Sequence, residues 1–111
     1  MTSLDGMMGI VVRTSADFGD GSWTPGMPMH RGSLWVGTVE GQRVLAFDLS
    51  PGRVLFGFTA PELTTVRRVA SGLNIAVECG VADWGGSPRT FTLVGPRGRM
   101  KKAFAAVGRP L

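Results

Sequence analysis

Tyrosine is absent from the chain, and cysteine and histidine each occur once, as Cys79 and His30. A single cysteine excludes an internal disulfide framework. One cysteine with one histidine also falls short of the usual zinc cages, so neither a metal nor a cofactor is expected. Cys79 closes the apolar run Asn74-Ile75-Ala76-Val77-Glu78-Cys79 and reads as a buried structural thiol. No apolar run approaches the roughly 18–20 residues of a membrane helix, so no membrane partner is expected. The opening Met1-Thr2-Ser3-Leu4-Asp5-Gly6 lacks the positive n-region and apolar stretch of a signal peptide. The expected location is therefore the cytoplasm, of a host if phage-encoded, or else a virion.

The composition is skewed in one further way. Asn, Ile, Lys and Tyr together supply 5 residues, whereas Gly, Arg, Ala and Pro supply 43 of 111. Residues with GC-rich codons are favoured, which points to a high-GC bacterial genome or a bacteriophage living in one. This bias concerns origin and carries no mechanism.

Catalytic constellations are missing as well. His30 could titrate near neutrality, but no nucleophile is identifiable for it and no second histidine exists. Asp48 and Glu78 stand singly on expected strands, without a partner for acid–base work, and read as exposed or salt-bridged. The triplet Asp17-Phe18-Gly19 has none of the motifs that accompany a kinase metal site. With Asp20 and Gly21 it also has too few ligands for a calcium loop, so it reads as a surface turn. Gly95-Pro96-Arg97-Gly98-Arg99 follows a strand and precedes a helix, yet lacks the Gly-Lys-Ser/Thr ending of a phosphate loop. No catalytic residue is assigned, and the chain is not expected to be an enzyme.

What is present is enough for one folded domain spanning 1–111. Hydrophobic residues make up 43% and charged residues 18%, which excludes a disordered tail. Met7 to Arg13 reads as a strand. The stretch 14–32 carries Gly19, Gly21, Pro25-Gly26 and Pro28 and reads as a long turn-rich loop. Leu34–Val39, Val44–Leu49 and Arg53–Phe58 read as an antiparallel meander, with turns at Glu40-Gly41 and Ser50-Pro51-Gly52. If Val39 pairs with Gln42 and Leu49 with Arg53, one face collects Leu34, Val36, Leu45, Phe47, Leu49 and Leu55. The other collects Trp35, Val44, Ala46, Val54, Phe56 and Phe58. Both faces are apolar, so both need a cover.

Thr59-Ala60-Pro61-Glu62 has the form of a capping box. Leu63, Val66, Val69, Ala70 and Leu73 then recur at helical spacing, which predicts a helix there. Asn74–Cys79 and Thr90–Val94 read as strands around a loop at Trp84–Pro88. Met100, Ala103, Phe104 and Val107 predict a short final helix, stopped by Gly108 and Pro110. The expectation is α+β: a small, mostly antiparallel sheet (the three-stranded meander plus two or three further strands) with two short helices.

Charge is the strongest functional signal. Residues 1–83 carry a net charge of −2, and the basic segment 84–111 carries +6 with no acid. Arg89, Arg97, Arg99, Lys101, Lys102 and Arg109 are the candidate polyanion-binding residues, with Trp84 as a stacking surface. Four of these cations fall at the start of the last helix, where its dipole disfavours them. The leading expectation is a non-catalytic interaction protein, an assembly subunit or effector that binds a protein partner or itself as a homo-oligomer. Trp23, Met27, Met29, Trp35, Phe56 and Phe58 are its candidate contact residues. The alternatives are nucleic-acid binding through 84–111 and, least supported, an enzyme whose site is shared between subunits.

Overall fold

A computed structural model describes residues 9–17, 29–50 and 53–111, with side chains described at 13–16, 29–48 and 56–111. Seven strands and one helix follow in the order β1 (Gly9–Asp17), β2 (His30–Val39), β3 (Gln42–Ser50), β4 (Arg53–Thr59), β5 (Leu63–Ala70), β6 (Asn74–Trp84), β7 (Ser87–Pro96) and α1 (Arg97–Ala106). All seven strands join one antiparallel sheet in the order β4-β3-β2-β1-β7-β6-β5. The expected α+β fold with two helices is thereby corrected to a curled, almost all-β sheet with a single helix.

The curl follows from the connectivity. Six successive antiparallel pairings separate β4 from β5, so the two edge strands run in the same sense. Only the 3-10 turn Ala60–Glu62 joins them, which is no hairpin. β4, the turn and β5 thus form one bent strand that leaves one edge of the sheet and enters the other. Ring contacts measure the closure. In a flat sheet, four inter-strand steps from β4 to β7 would span roughly 19 Å. The Phe56 and Phe91 ring centroids lie 4.6 Å apart.

The meander forms with the expected Val39↔Gln42 pair, but its last strand is out of the expected phase. Register shifts on either side of Asp48 put Phe56 opposite Phe47, Phe58 opposite Leu45, and Arg53 opposite Ser50. The two shifts cancel, and the Ser50↔Arg53 pairing, in place of the expected Leu49↔Arg53, sets Phe56 and Phe58 on the same face as Leu34, Val36, Leu45 and Phe47, inside the curled sheet. The outer face keeps a small second cluster, in which Trp35 and Val39 pack against Val44 and Ala46.

The segment expected to be the first helix is β5. Its capping box exists, with the Glu62 carboxylate accepting hydrogen bonds from Thr59 N–H and Thr59 Oγ1, each 2.9 Å. It closes a single 3-10 turn instead of an α-helix. From Leu63 onward the chain pairs with the buried strand β6. The expected apolar stripe finds no core to face: Leu63 is fully buried, whereas Val69 is 37% and Leu73 96% exposed. Thr64, Thr65, Val66 and Val69 are β-branched and suit a strand.

The strands read at 74–79 and 90–94 extend to 74–84 and 87–96. Gly85 and Gly86, with φ of 67° and 97°, make a two-residue hairpin turn where a longer loop was expected. Asp83 Oδ1 accepts the Gly86 N–H at 2.8 Å. The last helix buries Met100, Ala103 and Phe104, followed by Val107, and packs against β1, β2, β6 and β7. Of the stretch read as the long loop, 14–17 and 30–32 belong to β1 and β2, and 18–28 lie outside the described residues.

Candidate polyanion-binding surface

The residues singled out as a contact surface divide between core and periphery. Phe56 and Phe58 join Phe47, Trp84 and Phe91 in an interior ring cluster. Trp35 lies half-buried on the outer face, opposite Ala46. Met29 is half-buried just before β2, and Trp23 and Met27 lie outside the described residues.

The six candidate basic residues do not form one patch. Arg89 sits near the start of β7, with its guanidinium 5.2 Å from the Trp84 ring centroid, a cation–π distance. Seven residues of extended strand, roughly 24 Å, separate it from the end of β7. Arg109 turns inward: one guanidinium nitrogen donates to the backbone oxygens of Ala60 and Leu63. It thereby ties the C-terminal segment to the turn between the two sheet edges. Arg97, Arg99, Lys101 and Lys102 remain together, exposed on α1.

The helix dipole does not account for these four cations. Arg97 and Arg99 occupy its first turn, which has no acidic residue, and Pro96 supplies no side-chain cap. Cations there oppose the dipole, by about 0.3–1 kcal/mol each at exposed sites. The helix is held instead by its buried face and by contacts at both ends. Arg97 N–H donates to Leu73 O at 3.0 Å, and Arg43 donates to Ala106 O at 2.6 Å near the C-terminus.

Two further arginines extend the basic surface beside the start of this helix. The β1–β7 ladder covers only Ser15↔Val94, Ala16↔Leu93 and Asp17↔Thr92. Beyond it the strands splay, and a groove of about 550 Å3 opens there. Arg13, Ser15, Arg31 and Ser33 line it from β1 and β2, Asn74 from β6, and Val94 to Pro96 from β7. Among the described residues no carboxylate lines it. Register pairs Arg13 with Ser33 and Ser15 with Arg31. The two arginines are therefore diagonal neighbours on the outer face, with Cα atoms roughly 7–8 Å apart. Sequence reading missed them because both lie in the net-acidic part of the chain. Their one signal is the matching Arg-x-Ser alternation in β1 and β2, which acquires meaning only once the register is known.

The remaining titratable groups offer no chemistry of their own. Burial pushes the Cys79 thiol up to about 12, against the opposing charge of Arg109 and with that of Glu78, so the thiol is inert. Glu78 pairs with Arg67 at 3.2 Å. Asp48, expected exposed or salt-bridged, is buried at the β3 bulge. Burial raises its pKa, while the Trp35 indole and a backbone hydrogen bond at Ser33 lower it. Asp48 Oδ2 and Trp35 Nε1 nonetheless lack hydrogen-bond partners; the indole acts from outside bonding geometry. Among the described residues no three His, Cys, Asp or Glu side chains gather as a metal site. None of the described helices is long and apolar enough to cross a membrane. Comparison of the chain with protein-family models, with curated proteins and with solved structures returns no match.

Proposed function

We propose that the protein is a non-catalytic binding protein whose basic surface, centred on α1, takes a polyanionic partner, with a nucleic-acid backbone as the partner that fits best. The observation that carries this reading is the placement of Arg97, Arg99, Lys101 and Lys102. All four are exposed, and the helix dipole opposes the first two instead of favouring them. Phosphate backbones reward such a surface by counterion release, independent of sequence.

Binding of a short duplex DNA, followed across salt concentrations, tests the reading. Affinity should fall steeply with salt, and Lys101→Gln/Lys102→Gln should weaken binding alike for all sequences. The double substitution should also reduce the log–log salt slope by about 2, one unit per lost phosphate contact. A wild-type protein that ignores DNA at low salt overturns the proposal.

A second reading, contact with a protein partner or another copy of the chain, rests on the open β5 edge and the almost fully exposed Leu73 beside it. That edge carries Arg67 and Arg68, and charged residues on an edge strand discourage sheet-to-sheet pairing. Light-scattering mass separates the readings. A salt-insensitive dimer favours self-association, whereas a monomer that shifts only with DNA at low salt favours the polyanion.

A further inference from the structure

We infer that the groove between the splayed ends of β1 and β7 is a phosphoryl-binding site, distinct from the helix surface beside it. Three observations converge there. Arg13 and Arg31 approach from adjacent strands as a diagonal pair, and among the described residues neither forms an ion pair. Two like charges in register cost stability when nothing negative lies between them, and a tetrahedral oxyanion would bridge two guanidinium forks.

The rest of the lining supplies neutral donors: Ser15, Ser33 and Asn74. Thr14 alternates to the inner face of β1, where its methyl group lies beside Gly95, and contributes no hydroxyl to the groove. Helix α1 begins immediately after Pro96 of the groove wall. Its Arg97 N–H is committed to Leu73 O, but the next backbone donors of a helix start have no intrahelical partner. A Cβ built on Gly98 would meet nothing within 4 Å, so the approach to that turn is open. By register the nearest acidic positions are Asp48, across from Ser33, and Asp17, two residues along β1 from Ser15; Asp48 does not line the groove.

The ligand class is a phosphate ester. The inference deepens the polyanion reading and rests on it only for the source of the phosphate. Inorganic phosphate is the probe, with sodium chloride at matched ionic strength as the control, read by thermal unfolding and by 31P line width. Wild-type protein should be stabilised saturably by phosphate and not by chloride. Arg31→Gln and Arg13→Gln change exposed positions, and each should weaken the phosphate response roughly tenfold or more.

Lys101→Gln/Lys102→Gln should lose DNA affinity yet keep the phosphate response, so failure of the helix reading and failure of the groove are told apart. A 5′-phosphorylated oligonucleotide favoured over its unphosphorylated twin assigns a terminal phosphate. Equal binding of both, lost in Arg31→Gln, assigns a backbone diester. An equal response to chloride, or arginine variants that respond like wild type, overturns the inference. If the variants fail to fold, the comparison of phosphate with chloride on wild-type protein still decides.

Discussion

Glu40 is the only described non-glycine residue with positive φ, at 51°, and it precedes Gly41 at 81°. The pair closes the β2–β3 hairpin in the conformation that Asn-Gly prefers. Glu40→Asn should therefore raise stability by on the order of 1 kcal/mol in chemical denaturation, with the fold unchanged. Asp48 gives a second prediction. Its pKa is raised above 3.8 in the folded protein, so the native state holds this proton more tightly than the unfolded chain does. Stability then falls as pH rises from the ordinary carboxylate value through the raised one. Asp48→Asn should remove that loss: melting temperature near pH 7 should exceed wild type, and the difference should vanish in acid. Glycine at position 32 is fixed by contact, since a Cβ there would lie 1.9 Å from Asp48 O and 2.7 Å from Phe47 Cζ.

Elements differ in how far their residues declare them. The β2–β3 hairpin is legible because two runs rich in β-branched and aromatic residues meet at a Glu-Gly turn, and α1 because four apolar residues at i, i+3, i+4 and i+7 find a core to fill. β5 is not legible, because Leu63, Val66, Val69 and Ala70 satisfy the helical period as well as a thinly buried edge strand does. Pairing with β6 decides between them, and that pairing is a property of distant residues. The faces of β4 fail for a different reason. Pairing of Arg53 with Ser50, one residue from the expected Leu49, reverses the inward set, and Ser50-Pro51-Gly52 does not declare which residue closes the hairpin. The basic helix could be anticipated from charge alone, whereas the Arg13–Arg31 pair needed the β1–β2 register.

At the scale of the whole molecule, the fold is a barrel whose seam is not closed by a strand ladder. Arg109 spans that seam, donating to backbone oxygens at both ends of the turn between β4 and β5. Arg109→Met keeps the apolar stem and removes the donors. It should cost about 1.5–3 kcal/mol, as for hydrogen bonds from a charged group, seen as a lower denaturation midpoint. DNA binding should persist, since this guanidinium is committed to the backbone oxygens of Ala60 and Leu63.

The pairing of β1 with β7 also has a timetable. Ser15 meets Val94, a partner made roughly eighty residues later. At about 5–20 residues per second, β1 waits some 4–16 s on the ribosome with its second edge unpaired. Through that interval the hairpin of β1 and β2 is a nascent chain with an open template, and whatever shields it then is as much a part of making this barrel as the contacts that later seal it.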